Sequence, residues 1–193
     1  MKIVRPKSNQ PLPSHAKKVF SGVLFDVYQW EQKQFDGSVK TFEKIGRNDT
    51  VGVLATTQDK KIVLTRQEQP GIASFIGTSG GVIDDGELPF VAAKRELLEE
   101  TGYVSDEWVL YDAVQPITKM DWAIFLFLAK NCKKVAPLHL DPGEKVTVME
   151  VTFDEFLSLV VREDFRDKEL ALRVFRLLRV PGGKEKLRDM LFS

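Results

Sequence analysis

The chain has 193 residues, with 28 Lys and Arg against 28 Asp and Glu, and 43% of its residues are hydrophobic, which is the composition of one globular domain. A formal net charge of zero gives no basic field that would hold DNA, so we do not expect a dedicated DNA-binding protein. The one cysteine, Cys132, cannot form an intrachain disulfide, and we interpret it as a small buried hydrophobic residue.

The cellular location is predicted from two features. Residues 1–10 are polar and basic and lack the apolar core of a secretory signal. The longest apolar run, residues 123–129, is far shorter than the roughly 20 residues that cross a bilayer as a helix. We therefore expect a cytoplasmic protein that makes no membrane contact.

Strand signals follow one another quickly after an N-terminal arm. Residues 1–15 are rich in Pro, Ser and Lys and predict an arm rather than core. Short segments rich in Val, Ile and Phe, separated by turn residues, predict about seven strands at 19–30, 39–45, 51–56, 61–66, 108–114, 122–128 and 146–151. The second strand is expected to return on the first as a hairpin, and the fourth on the third.

Three helices are predicted between and after the strands. Residues 88–101 have an apolar side and a charged side, and Gly102 stands where a left-handed cap would end the helix. Residues 152–155 form a capping box that opens a second helix ending near residue 162. A third helix over 167–180 would stop at a Pro-Gly-Gly sequence. This order of elements indicates an α+β fold with a mixed sheet packed by helices.

The first of these helices is acidic on one face. At 100° per residue, Glu96, Glu99 and Glu100 converge. Each like-charge pair costs a few tenths of a kcal/mol, and the C-terminal end of a helix also disfavours anions. A cluster of oxygen ligands, in a chain with two His and one Cys, is the chemistry of Mg²⁺ or Mn²⁺ rather than zinc. The alternative is a solvated charged face.

The loop before the helix favours the metal interpretation. Gly80 and Gly81 free the backbone to approach a ligand or to offer a carbonyl, and Gly86 allows a tight turn. Glu87, near the start of the helix, suits the helix dipole and would also be explained as a stabilising first-turn acid.

Loop and helix together form a recognisable pattern. The segment has Gly81, five residues, Glu87, seven residues, Arg95-Glu96-Leu97, one residue, Glu99-Glu100, one residue, Gly102 and a closing position held by Tyr103. It resembles the signature of the Nudix hydrolase family, which usually has an aliphatic residue at the last position. The resemblance implies a Nudix-type α/β/α sandwich with a mixed central sheet, plus N-terminal antiparallel strands. It places the Nudix hydrolase domain with C-terminal helices at 46–193, after an arm and strands at 1–45 that would serve dimerisation.

The family resemblance also implies roles for individual residues. The metal ligands would be the Gly80 carbonyl, Glu96, Glu99 and Glu100, with Mg²⁺ as the ion and Mn²⁺ as an alternative. Arg95 would hold the glutamates in orientation and Glu87 would tie the loop to the helix, so that Arg95 and Glu99 belong to the catalytic set. Divalent ions neutralise a diphosphate and lower the pKa of a bound water.

A base outside the signature is still needed. Glu144 is the first candidate, because it precedes a strand where relatives similar to ADP-ribose pyrophosphatases carry an acidic loop. Its alternative interpretation is an exposed loop carboxylate. Asp121 is the second candidate.

The substrate branch is indicated by the N-terminal strands, the segment 64–70 and the helices after the last strand, which resemble the ADP-ribose and nucleoside-diphosphate-sugar branch. Gln69 stands where that branch often has a substrate-binding Arg, and residues 115–118 replace its usual Ser-Pro-Gly loop. A neutral amide cannot make the bidentate phosphate contact of a guanidinium. The substrate-binding candidates are therefore Arg66, Gln69, Arg47 and Lys119. The aromatic residues Trp122, Phe75 and Tyr28 could stack on a base, with core packing as the alternative.

The sequence thus predicts a metal-dependent hydrolase that splits a nucleoside diphosphate derivative, a nucleotide sugar or an ADP-ribose-like molecule, into two monophosphates. Two alternatives stay open: a housecleaning pyrophosphatase of nucleoside triphosphates or capped RNA, and a nucleotide-sugar sensor that does not cleave its ligand. A homodimer is also predicted, because the N-terminal strands carry more apolar surface than an arm should expose, at Phe20, Leu24, Phe25, Tyr28 and Trp30.

Overall fold

The computed structural model describes residues 3–140 and 142–193. Its strands are β1 (Lys17–Ser21), β2 (Asp26–Lys33), β3 (Val39–Gly46), β4 (Thr50–Thr57), β5 (Ile62–Gln69), β6 (Ile72–Gly77), β7 (Tyr103–Val104), β8 (Glu107–Val114), β9 (Met120–Asp121), β10 (Ile124–Lys134) and β11 (Lys145–Val151). The helices are α1 (Pro89–Thr101), α2 (Phe153–Leu159), α3 (Lys168–Leu178) and α4 (Gly183–Phe192).

The seven-stranded sheet forms the centre of the molecule. Its order is β11-β5-β4-β10-β7, with β6 also paired to β5 and β8 to β10. The β4 and β10 strands are parallel, and the other pairs are antiparallel, so the sheet is mixed as predicted.

This sheet separates two hydrophobic cores because side chains alternate between its faces. On β10, Phe125 and Phe127 join one core, whereas Leu126 and Leu128 join the other. Helix α1 packs on the first face, and α2, α3 and α4 pack on the second. The result is the α/β/α sandwich expected from the sequence.

The N-terminal strands form a second sheet in the order β1-β2-β3-β9. The β2–β3 hairpin is confirmed, but the single strand predicted over 19–30 is wrong. Gly22 donates its N–H to the Phe25 carbonyl at 2.8 Å, and this turn splits the segment into β1 and β2. The prediction of about seven strands also missed β6 and the two-residue strands β7 and β9.

The helix ends follow the capping chemistry, with two corrections. Gly102 adopts the left-handed conformation after α1, with φ of 75°, and Thr152 and Glu155 form the reciprocal capping box of α2. However, α2 ends at Leu159 rather than near residue 162. The predicted stop after α3 is also the start of α4, which begins at Gly183.

The N-terminal arm is tied to the domain rather than free of it. Arg5 donates to Asp49 at 2.7 and 2.9 Å and to Asp121 at 3.1 Å. The ammonium group of Lys44, a residue only 1% exposed, donates to the Ser8 hydroxyl and to a backbone carbonyl of the arm. Hydrogen bonds to a buried ammonium satisfy a group that would otherwise be costly to bury.

Two remaining features concern Cys132 and membrane contact. Cys132 is buried as expected, and burial raises the pKa of its thiol to about 11. Among the described residues, no helix is long and apolar enough to cross a membrane.

Candidate active site

The loop from Gly80 to Leu88 leads into α1 and passes very close to the sheet. A Cβ atom at Gly80 would lie 2.9 Å from the Gly52 Cα atom, and one at Gly81 would lie 2.8 Å from the carboxyl carbon of Glu96. A side chain at Gly80 would meet the backbone of β4 and push the loop away, whereas a side chain at Gly81 would displace the Glu96 carboxylate.

Arg95 connects this loop with the acidic face of the helix. Its guanidinium makes a two-pronged contact with Glu87, at 3.0 and 2.8 Å, which lowers the pKa of that carboxyl. The Nη1 atom donates to Glu96 at 2.8 Å and to Glu99 at 3.2 Å. Arg95 thus touches every carboxylate of the signature except Glu100.

Glu100 is the buried member of the acidic cluster, at 5% exposure. One carboxylate oxygen accepts the Gly80 N–H at 3.0 Å, and the other accepts the side-chain amide of Gln67 at 3.3 Å. Burial raises the pKa of Glu100 to about 8, and the charges of Glu96, Glu144 and Asp167 act in the same direction. In the described part of the chain, no basic side chain forms an ion pair with Glu100.

The Gly80 carbonyl differs from the neighbouring carbonyls in its hydrogen bonding. The carbonyls of Gly77 and Thr78 accept the Thr65 hydroxyl, that of Ser79 accepts the Val53 N–H, and that of Gly81 accepts the Val51 N–H. No donor within residues 3–140 and 142–193 reaches the Gly80 carbonyl. A backbone oxygen of this kind is available to a ligand.

These donors suit a hard divalent cation. The Gly80 carbonyl, Glu96 and Glu100 are oxygen ligands of the type that Mg²⁺ and Mn²⁺ prefer, and the absent side chain of Gly81 leaves room beside Glu96. Among the described residues, no three His, Cys, Asp or Glu side chains form a group that could hold one ion. The reason is local: Arg95 draws Glu96 and Glu99 toward itself, while Glu100 turns to Gly80.

The loop between β10 and β11 brings Glu144 to the cluster. This loop crosses the C-terminal end of α1, where the His139 N–H donates to the Glu99 carbonyl at 2.8 Å. Glu144 is partly buried, and its charge raises the pKa of both Glu96 and Glu100. Asp121, the second candidate base, instead lies on β9 and pairs with Arg5.

The predicted substrate-binding residues are dispersed. Because side chains alternate along β5, Gln69 shares the α1 face with Gln67, whereas Arg66 lies on the opposite face near Asp164. Arg47 packs against the Trp122 ring, with its guanidinium carbon 5.4 Å from the ring centre.

The remaining candidates make packing contacts. Lys119 lies over Phe42, with its ammonium nitrogen 4.6 Å from the ring centre. Phe75 is buried beneath Arg166, and Tyr28 packs in the N-terminal sheet against Gly46. The structure therefore places Gln69 on the face that carries the acidic cluster and Arg66 on the opposite face. Arg47 lines one cavity with Asp84 and Glu87 of the loop before α1.

Sequence reasoning missed two residues that contact the site. Gln67 lies two residues after Thr65 and four after the core residue Val63, so strand alternation could have placed it on the α1 face. Asp167 binds Thr78 across 89 positions of sequence, and no local pattern signals that contact.

Comparison with known proteins adds independent findings. A model of the NUDIX domain family matches residues 46–174. A methanol dehydrogenase activator of Bacillus methanolicus is 32% identical over 162 residues, 82% of this chain and 87% of the relative. An ADP-ribose pyrophosphatase of Bacillus subtilis (strain 168) is 30% identical over 161 residues, again 82% of this chain and 87% of the relative. The crystal structure of an ADP compounds hydrolase has a TM-score of 0.69 at 19% identity, covering 88% of this chain and 96% of that one, and so shares the fold.

An α/β/α sandwich with a glycine loop, an acidic helix and these relatives defines a pyrophosphohydrolase. The chain belongs to the Nudix family, as its sequence pattern predicted. Within that family it is a hydrolase similar to ADP-ribose pyrophosphatases, and such enzymes generally use divalent metals.

Proposed function

We propose that this protein hydrolyses the pyrophosphate linkage of ADP-ribose or a related nucleoside diphosphate sugar, in a Mg²⁺-dependent reaction that yields two monophosphates. The observation that carries the proposal is the buried Glu100 carboxylate, which contacts the Gly80 amide beside Glu96 without a basic partner among the described residues. A buried carboxylate of this kind is stabilised by a bound cation. The Bacillus subtilis relative, an ADP-ribose pyrophosphatase, supports the choice of substrate.

The residues have distinct tasks in this reaction. Glu96, Glu100 and the Gly80 carbonyl would hold the metal, with Glu99 as a direct or water-mediated ligand. When bound, Mg²⁺ neutralises the diphosphate and lowers the pKa of water. Arg95 keeps Glu96 and Glu99 in place through its two contacts.

Glu144 acts as the general base in the proposed mechanism. Its carboxylate accepts the proton that the attacking water loses, so that the water can attack phosphorus near neutral pH. The support for this role is electrostatic proximity, since the charge of Glu144 is felt by both Glu96 and Glu100.

Substrate recognition relies on few protein cations. Gln69, on the α1 face, offers an amide that can donate hydrogen bonds to a sugar hydroxyl or a phosphate oxygen. Arg47 lines a cavity with Asp84 and Glu87 of the loop before α1, so its guanidinium is placed to meet a substrate bound beside that loop. Arg66 and Lys119 stay predicted contacts, and the bound metal would supply further positive charge.

Product analysis tests the proposal. The wild-type protein is incubated with ADP-ribose, a nucleotide sugar, a dinucleoside polyphosphate and ATP, with and without Mg²⁺ or Mn²⁺. We expect AMP and ribose 5-phosphate from ADP-ribose only with metal, and no turnover by Glu100→Gln. Glu185→Gln, at an exposed acid of α4, is the matched control. Pyrophosphate released from ATP at a higher rate would identify a triphosphatase, and binding of ADP-ribose without cleavage would identify a sensor.

We also propose that the protein is a homodimer and that it is located in the cytoplasm. The side chains of Phe20 on β1 and of Leu24 and Phe25 in the turn before β2 are exposed, which supports a protein interface there. Trp30 does not contribute, because it is 5% exposed and packs against Phe42. Light scattering at micromolar concentration should give twice the mass of one chain, and the mass of one chain would exclude the dimer.

A further inference from the structure

The segment that joins α2 to α3 extends the central sheet beside the active-site loop. The Ile76 N–H donates to the Asp164 carbonyl and the Arg166 N–H donates to the Ile76 carbonyl, each at 2.8 Å. Ile76 and Phe165 form a parallel bridge, and both are fully buried. The next residue after Arg166 is Asp167, which these contacts place at the end of β6.

Asp167 binds Thr78, the residue that follows β6, through one oxygen atom. Its Oδ2 atom accepts the Thr78 N–H at 2.6 Å and the Thr78 hydroxyl at 2.9 Å. Hydrogen bonds to a carboxylate are about twice as strong as those between neutral groups. The approach depends on Gly77, because a Cβ atom there would lie 3.0 Å from the same oxygen.

Thr78 is two residues before Gly80, and the chain between them is held on both sides. Thr65 donates to the Thr78 carbonyl at 3.4 Å, and Val53 donates to the Ser79 carbonyl at 2.8 Å. The direction of the Gly80 peptide follows from these anchors. Asp167, at the start of α3, supplies the anchor that comes from the opposite side of the fold.

We propose that Asp167 is a positioning residue, which fixes the segment 78–80 so that the Gly80 amide stays on Glu100 and the Gly80 carbonyl stays available to a cation. The proposal rests on the proposed function for the identity of the ion that uses this carbonyl. In this role Asp167 contacts neither the substrate nor the metal.

Two variants change the hydrogen bonds of Asp167, and only the second keeps its charge, which also acts on Glu100. Asp167→Asn keeps the size of the side chain and one acceptor oxygen, but loses the charge. Thr78→Val removes the hydroxyl and keeps the N–H. Asp164→Asn is the matched control, since Asp164 belongs to the same segment but its carboxylate pairs with Arg162.

Mn²⁺ binding to the whole protein, followed by electron paramagnetic resonance, is the first measurement. We expect Asp167→Asn to bind Mn²⁺ about 10-fold more weakly, the typical loss when a residue that orients a metal ligand is changed. Thr78→Val should lose less, in the same direction, and Asp164→Asn should bind as the wild type does. With substrate and saturating Mg²⁺, kcat should fall while KM stays constant, because the metal site is then filled and the contacts of the protein with the substrate are untouched.

Hydrogen exchange of the metal-free protein distinguishes this proposal from the proposed function. Faster exchange at Thr78 and Gly80 in Asp167→Asn supports the positioning role even if no nucleotide is cleaved. Wild-type exchange together with wild-type Mn²⁺ affinity in Asp167→Asn would overturn it. If that variant does not fold, Thr78→Val decides the question by the same two measurements.

Discussion

The amide nitrogen of Gly80 lies 3.0 Å from a carboxylate oxygen of Glu100, so the loop before α1 and the last turn of that helix are joined by a hydrogen bond. The bond turns the Glu100 carboxylate toward the backbone of the loop. The carbonyl of the same glycine has no donor among the described residues, so Gly80 binds Glu100 through its N–H and keeps its oxygen available to a ligand.

The first prediction concerns the stability of the metal-free protein. Burial raises the pKa of Glu100 to about 8 from an ordinary value of 4.5. Between these values the folded state holds a proton that the unfolded state has lost, so the free energy of unfolding should fall as the pH rises. The slope for one proton is at most about 1.4 kcal/mol per pH unit.

Urea unfolding in the presence of a chelator, over about pH 5 to 8, measures this slope. Glu100→Gln should show a flatter profile, since it has no proton to lose at this position. Added Mg²⁺ should stabilise the wild type more at high pH, because the ion binds only the ionised carboxylate. A wild-type profile that does not change with pH would contradict the assignment.

A second prediction concerns the guanidinium of Arg95. Its fork contacts Glu87, Glu96 and Glu99, and an ammonium group cannot reproduce that geometry. Arg95→Lys should therefore reduce kcat by about 10- to 100-fold, the range found when a group that orients metal ligands is replaced. Steady-state kinetics with Mg²⁺ tests this, and Arg176→Lys on the exposed surface of α3 should keep the wild-type rate. Equal rates for both variants would exclude the orienting role.

Gly81 gives a third, steric prediction. The Cβ atom of Gly81→Ala would lie 2.8 Å from the carboxyl carbon of Glu96, so Glu96 has to move. We expect weaker Mg²⁺ binding and lower kcat, with a native circular dichroism spectrum. Gly143→Ala, where a Cβ meets nothing within 4 Å, should bind Mg²⁺ normally. Unchanged binding in Gly81→Ala would mean that Glu96 does not hold the ion.

The local elements of this fold were predictable because their signals lie within a few residues. The capping box at Thr152 and the left-handed Gly102 depend only on neighbouring backbone groups, and both were found as predicted. The signature pattern also gave the contacts of Arg95, since its partners lie within one turn of the helix or in the loop before it.

Non-local packing explains what the sequence did not predict. Strand β6 is exposed at its first three residues and buried at its last three, so it lacks the alternation that indicates a strand. Arg66 differs from Gln67 by one position in β5, and that single step places it on the other face of the sheet. The contact of Asp167 with Thr78 depends on the docking of α3, and no pattern within a few neighbouring residues of the sequence predicts it.

The last prediction separates the two candidate bases. Glu144 lies close enough to the cluster to affect Glu96 and Glu100, whereas the Asp121 carboxylate accepts a hydrogen bond from Arg5 at 3.1 Å. Glu144→Gln should therefore lower kcat by about 10²- to 10⁴-fold, the usual contribution of a general base. Asp121→Asn should keep kcat and weaken only the attachment of the N-terminal arm. The values of kcat measured at saturating substrate and Mg²⁺ decide between the two residues. A larger loss of kcat in Asp121→Asn than in Glu144→Gln would identify Asp121, on β9, as the base.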